Sequence, residues 1–308
     1  MKTALITHKD CLDHVTPQGH PEQVARLEYV LDALQSLDLK RVDAPLASAQ
    51  DLLQAHPQTY IDWLAKSVPQ SGHRAIDADT HMSTGSYMAA LRAVGGVLQA
   101  VDLVMEESVQ NAFVATRPPG HHAERETAMG FCFFGNVSIA AKHALDHHGL
   151  TRVAVVDFDV HHGNGTQDLL WDEPRTLLVT SHQSPLWPGT GTPEETGAHD
   201  NIINLPLPPQ SDGAHMRAAY ERLVFPMLEA FAPELIFISA GFDAHRFDPL
   251  AELNWVEEDF VWLTQRLMSL AQRHSKGRLV SVLEGGYDLP ALAFSVKVHV
   301  ETLSEIAK

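Results

Sequence analysis

Cysteine is almost missing from this sequence: Cys11 and Cys132 are the only two in 308 residues. Two thiols cannot build a disulfide framework, and these two lack the spacing of a thiolate zinc site. Each reads as a small buried hydrophobe. Basic residues are scarce too, with 22 Lys and Arg against 39 Asp and Glu, for a formal charge of -17. Without a Lys/Arg-rich tract the chain has no general grip on a phosphate backbone, and no direct nucleic-acid partner is expected. An acidic surface serves solubility, and it also tolerates basic ligands such as lysine-containing peptides or amines. The opening residues, Met1 to His8, reach polar groups too soon for a signal peptide, and nothing later approaches ~18 apolar residues in a row. The expectation is a soluble, cytoplasmic protein with no membrane partner. There is no internal repeat, low-complexity tract or Pro/Ser-rich linker, so residues 1–308 are expected to form one domain.

What is present is a hydrophobic content of 44%, ample for a large core. Short β-branched runs alternate with longer amphipathic stretches, which predicts an α/β fold with a mostly parallel central sheet flanked by helices. Strands are expected at 4–7, 112–116, 153–158, 176–180, 202–205, 235–239 and 279–283. Several are apolar at nearly every position, as strands covered on both faces are. Helices are expected at 22–37, 85–107, 136–148, 214–230, 257–274 and 290–306.

In such a sheet a ligand site forms beyond the carboxyl ends of the strands. Four strand ends carry titratable groups there: His121-His122, then Asp157 to His161, then Asp243, then Glu284 to Tyr287. Asp159 and His161 are separated by one residue, so an extended backbone aims both at the same face. Asp157 shares that face one step further back, suited to supporting the site or holding a buried cation. Asp243 is the best third ligand. Two carboxylates and an imidazole with an open position suit a catalytic divalent ion, zinc first. Any one of these residues could be an ordinary strand-end cap, but five polar groups stand within the eight residues from Asp157 to Asn164.

His-His occurs three times, which supplies an internal control. His147-His148 precedes Gly149 after an amphipathic stretch and reads as a cationic helix C-terminus closed by glycine. His121-His122 follows two prolines and a glycine just past a buried strand, where capping does not explain it. Hydrolysis at a metal needs a base for water and an acid for the leaving group, and two adjacent imidazoles suit both tasks.

Six ordered blocks then carry a resemblance. Arg117 to His122, Gly130 to Asn136, Asp157 to Thr166, Pro188 to Gly191, Gly241 to His245 and Glu284 to Tyr287 resemble the zinc-dependent histone deacetylase superfamily. The nearest variant is class II-like and includes bacterial histone deacetylase-like amidohydrolases. The resemblance runs from His20-Pro21-Glu22 and Arg26 to the last strand. It implies a three-layer arginase/deacetylase fold and hydrolysis of an acyl amide on a lysine-like amine. It further implies one zinc ion held by Asp159, His161 and Asp243. His122 would be the base that becomes the acid, His121 its electrostatic partner, and Tyr287 the donor to the oxyanion.

By the same resemblance His121 would be held by Asn164 and His122 by Asp157, making His122 the more basic imidazole. Asp157, the backbone of Asp159 and His161, and Thr180 and Ser181 would surround a potassium ion. Gly130, Phe131 and Trp187 would line an apolar tube for the acyl-lysine stem. Leu250 falls where polyamine-specific relatives carry a glutamate, which argues against a strictly polyamine substrate. Asp79 is either a rim residue holding substrate amides or a turn residue. Arg26 either lines an internal exit for acetate or forms a salt bridge at a surface or helix end. The expected substrate is an acetylated lysine peptide or protein, or a small acylated amine. The alternatives on the same fold are an acetylpolyamine deacetylase and a two-manganese ureohydrolase, the latter short of bridging carboxylates. A silent acyl-lysine-binding module is the non-enzyme alternative, with intact ligands and Tyr287 against it.

Overall fold

The computed structural model describes residues 2–305. In chain order the strands are β1 (Thr3–Thr7), β2 (Lys40–Asp43), β3 (Arg74–Ala75), β4 (His81–Met82), β5 (Asn111–Val114), β6 (Val153–Asp157), β7 (Thr176–Gln183), β8 (Ile202–Leu207), β9 (Leu235–Ala240) and β10 (Leu279–Leu283). The helices are α1 (Ala25–Ala33), α2 (Ala49–Leu52), α3 (Gln58–Ser67), α4 (Ser86–Met105), α5 (Asn136–Asp146), α6 (Asn164–Leu170), α7 (Gly213–Ala219), α8 (Phe225–Phe231), α9 (Glu257–His274) and α10 (Leu289–Glu305). Ile306, the expected end of the last helix, lies outside the described residues.

Eight strands form one sheet in the order β2-β1-β5-β10-β9-β6-β7-β8, and every pairing is parallel. Both faces are covered, so consecutive residues of a central strand feed opposite cores. Ala4 and Ile6 of β1, with Ala112 and Val114 of β5, join a core against α4 and α5. Leu5 and Phe113, one residue out of phase, join the core beneath α1, α9 and α10. That is why these strands are apolar throughout rather than alternating. The three-layer arrangement is the one expected from the sequence.

The differences lie where packing overrides pattern. Strand β2 was not expected, because an edge strand with three of four residues exposed needs no apolar run. The expected helix at 22–37 begins only at Ala25, since the Glu22 side chain is committed to a buried ion cluster with Arg117, Arg26 and His14. The expected helix at 214–230 contains a π-turn over Tyr220–Val224. Pro226 follows that turn and lacks the N–H of a regular helix, while the wider turn lets the buried Tyr220 hydroxyl reach Ser181 at 2.7 Å. Helix α4 is long and apolar enough to cross a bilayer, yet most of it is buried in this fold, as a core helix is. Cys11 and Cys132 are free and fully buried.

Candidate active site

Four strand ends meet as the parallel topology requires, because β5, β10, β9 and β6 are consecutive neighbours. Strand β6 stops at Asp157, and the turn beyond it folds back on itself. The Asp157 carboxylate accepts from the Asp159 backbone N–H at 3.1 Å, and the Asp159 carboxylate accepts from that of His161 at 2.9 Å. Asp243, after β9, closes the group. His161 Nδ1 lies 3.2 Å from Asp159 Oδ1 and 3.1 Å from Asp243 Oδ2.

These three residues fit a divalent cation. Each offers one ligand atom, and the atoms lie within 4.8 Å of one another. Burial opposes a charged ring at His161, but hydrogen bonds to the two carboxylates push its pKa up to about 10. A positive charge wedged between two buried carboxylates is the electrostatic arrangement that a bound metal would replace. Burial and the neighbouring Asp159 charge raise Asp243 to about 6. Backbone packs hard against these acids. A Cβ on Gly241 would sit 2.0 Å from Asp159 Oδ2, and one on Gly285 would sit 2.2 Å from Asp243 Oδ2. The Gly285 N–H also donates to Asp159 at 2.8 Å.

The two imidazoles of 121–122 are held the opposite way round from the expectation. His121 Nδ1 pairs with Asp157 at 3.0 Å, and His122 Nδ1 pairs with Asn164 at 2.8 Å. The reason is geometric. The turn after β5 points the His121 ring inward to the end of β6, whereas His122 faces the start of α6, where Asn164 sits. His121 is therefore the more basic ring: burial opposes its charge, but Asp159 and Asp157 hold its pKa well above the usual histidine range. Burial first, then the positive charges of His121 and His161, hold His122 well below that range.

The tautomer of His122 follows from its neighbours. The Asn164 amide N–H2 donates to Glu124 at 2.8 Å, so its carbonyl oxygen faces His122 and accepts from Nδ1–H. The free lone pair is then on Nε2, the nitrogen available to take a proton.

Above these groups lies a cavity of about 550 Å³ lined by His122, His161, Tyr287, Phe131, Trp187 and Leu250 among others. Gly130 and Asp79 line it as well. Gly130 has φ +55, and a Cβ there would fall 2.4 Å from the His122 ring and 2.6 Å from that of Trp187. Phe131 follows, itself at φ +68, with its ring edge-on to His20 and to Tyr287. Trp187 meets His122 edge-to-face at 4.7 Å. Asp79 lines the cavity and belongs to the β3–β4 turn, which is pinned by Asp77, accepting from the backbone of Asp79 and Thr80. Burial, opposed by Arg26, raises the Tyr287 pKa well above ten, so its hydroxyl remains a donor.

Of the expected cation ligands, Ser181 Oγ lies 3.5 Å from the Asp157 carbonyl oxygen, while the Thr180 hydroxyl pairs with His182 at 3.0 Å. Arg26 is fully buried rather than at a surface, and it fixes the Tyr287 loop by donating to the carbonyls of Glu284 and Gly286, both at 2.6 Å. Two residues that the sequence placed in the family blocks without a role support the site. Glu284 accepts from the backbone N–H groups of Gly120 and His121 at 2.8 and 3.2 Å, holding the histidine turn from behind. Its sequence signal was an acid following the apolar run of β10 without a break, for which a buried strand end needs donors. Glu22 is the other, binding Arg117 across 95 residues, a pairing that no local pattern reveals.

Comparison with known proteins decides the family. The histone deacetylase domain model matches residues 20–303. The chain belongs to the histone deacetylase family. Over 94% of this chain and 78% of the relative, it is 38% identical to a histone deacetylase-like amidohydrolase of Pseudomonas aeruginosa. It is 36% identical to a probable deacetylase of Archaeoglobus fulgidus, covering 94% of this chain and 82% of that one. An uncharacterized protein of Synechocystis sp. is 42% identical over 98% of this chain and 99% of its own. The crystal structure of the HDA15 HD domain superposes with a TM-score of 0.91 at 29% identity, covering 98% of this chain and 90% of that one. The protein is thus a hydrolase acting on amides, in a family that acts on acetylated substrates and is generally zinc-dependent.

Proposed function

We propose that this histone deacetylase family member removes acetyl or other acyl groups from lysine side chains of proteins or peptides, or from related small amides. The observation that carries the reading is one cavity lined by both Phe131 and Trp187, which suit an alkyl stem, and by His122, His161 and Tyr287. Asp159, His161 and Asp243 would hold the zinc. When bound, that ion acidifies water and polarises the acyl carbonyl.

The chain's own residues do the rest. His122 Nε2 takes the proton of the attacking water and later passes it to the amine nitrogen as the carbon–nitrogen bond breaks. His121, kept cationic by Asp157, supplies positive charge beside developing negative charge. The Tyr287 hydroxyl donates to the carbonyl oxygen as it becomes an oxyanion, where a preorganised donor counts most. His122 remains the base, although not for greater basicity: it is the ring that stays neutral with a free lone pair.

A potassium ion held by Asp157, Thr180 and Ser181 with the backbone of Asp159 and His161 belongs to the same proposal, supported by the approach of Ser181 to the Asp157 carbonyl. The apolar Leu250 in the cavity lining favours acyl-lysine over a strictly polyamine substrate. The family match at 20–303 supports reading 1–308 as one deacetylase domain. A cytoplasmic location rests on composition alone.

The test is acetate release from an acetyl-lysine peptide by zinc-loaded protein, with acetylpolyamines and small acylated amines in parallel. A chelator should abolish turnover and hydroxamates should inhibit it. Tyr287→Phe should lower kcat by about 10²–10³-fold, as loss of one oxyanion donor does. Unchanged turnover in that variant removes the assigned role, and a preference for acetylpolyamines would overturn the substrate class.

A further inference from the structure

His147-His148 closes α5 as expected: Gly149 takes φ +69, and Leu150 N–H returns to the Ala144 carbonyl at 3.3 Å. The fold adds two partners to it. His143 stands one turn earlier on the same helix, and Asp102 reaches across from α4. His143 Nε2 and His148 Nε2 each lie 2.8 Å from the same oxygen of Asp102. The His143 and His147 rings stack at 4.8 Å and 10°, and His147 and His148 stand 4.9 Å apart. One candidate ligand atom from each of the four residues falls within 4.8 Å of all the others.

We propose that His143, His147, His148 and Asp102 form a second transition-metal site, separate from the catalytic centre, that ties α4 to α5. The i,i+4 spacing of His143 and His147 puts two imidazoles on one helix face, the arrangement helical metal motifs use. Three imidazoles and one carboxylate suit zinc, copper or nickel and not the hard cations magnesium and calcium. Tetrahedral zinc bonds of about 2.0–2.1 Å require ligands roughly 3.3 Å apart, so the rings need only close in slightly. Each ring offers its facing nitrogen by carrying its proton on the other one. The C-terminal end of α5 adds partial negative charge. Half-open burial lets an ion enter, because His147 is exposed while the other three are partly covered. Four protein ligands leave no open position, which makes the site structural rather than catalytic.

The site stands clear of the reacting groups. The start of α5 touches the histidine turn, since a Cβ on Gly120 would lie 2.7 Å from the Asn136 amide. The cluster lies at the other end of that 11-residue helix, about 16 Å away at 1.5 Å per residue.

The experiment is zinc content by elemental analysis after chelator stripping and equilibrium dialysis against zinc. Wild type should hold one more ion per chain than His143→Ala/His147→Ala, with acetyl-lysine turnover equal in the two. Asp243→Asn, altered at the catalytic cluster, should still show that one-ion difference when combined with the double substitution. Where the double variant fails to fold, His147→Ala alone removes an exposed ring and should weaken the additional zinc affinity at least tenfold. Equal zinc content in wild type and the histidine variants overturns the proposal, as does a tenfold loss of turnover in a folded one.

Discussion

His121, His122 and His161 and the trio His143, His147 and His148 are the same chemical groups set beside aspartates, yet the first trio is walled in while the second lies half-open between two helices. The difference is in what fixes the carboxylates. Asp157, Asp159 and Asp243 each accept a backbone N–H from a strand-end turn, so their positions are set before any ligand arrives. Asp102 is held by two imidazoles that it must share with anything that binds. The flanking carboxylates hold His121 cationic against burial, burial and that charge keep His122 neutral, a bound metal would take the place of the proton on His161, and the chemistry needs that division of labour. A tie between helices does not.

The sharpest way to break the comparison is to remove one ring from each trio. His122→Ala should lower kcat by about 10²–10⁴-fold, the usual worth of a positioned acid–base group. His147→Ala should leave kcat unchanged. Steady-state turnover of an acetyl-lysine peptide checks both, and a His122→Ala enzyme near wild-type rate would make the ring a bystander.

A smaller effect tests the reversed pairing. Asn164→Asp places a carboxylate on His122 Nδ1, raising the affinity of that ring for a proton. A base must be neutral to act, so the acid limb of the kcat profile should move to higher pH. The equivalent change at Asp157, to Asn, removes the partner of His121 and should lower kcat without moving that limb upward. An acid limb that stays in place in Asn164→Asp would return the base role to His121.

How much of this was legible follows from the kind of signal each residue leaves. Strands β1, β5, β6, β9 and β10 were readable because a strand covered on both faces has to be apolar in sequence. Asp159, His161 and Asp243 were readable as strand-end acids and an imidazole, since the parallel topology dictates where such ends go. The pairing of His121 with Asp157 and His122 with Asn164 was not, because which way two adjacent rings point depends on the φ and ψ of a turn. Arg26 and Glu22 were legible only in part: their i,i+4 ion pair is local, but their bonds to Glu284 and Arg117 span 258 and 95 residues. The cluster on α5 was half legible: His147-His148 read as a helix end, but Asp102 is supplied by a different helix and only tertiary packing brings it there.

Asp102 carries the mildest and most selective test of the contrast. Burial opposes its ionised form, yet the His143 and His148 hydrogen bonds keep its pKa below the usual aspartate value of 3.8. A carboxylate depressed in the folded state contributes stability that is fully present above the unfolded pKa and is lost as pH falls through the folded one. With its side chain 35% exposed, solvent screening limits that contribution to about 1 kcal/mol or less. Asp102→Asn should therefore cost less than about 1 kcal/mol in urea unfolding at neutral pH with chelator present, and progressively less as pH falls below 3.8 through the depressed folded pKa of Asp102. Zinc should widen the gap between wild type and variant, because an ion bound only by the folded wild type adds RT ln(1 + [L]/Kd) to its stability. A gap that zinc leaves unchanged would mark the four residues as a salt-bridged helix end, and the likeness between the two trios would then be one of composition alone.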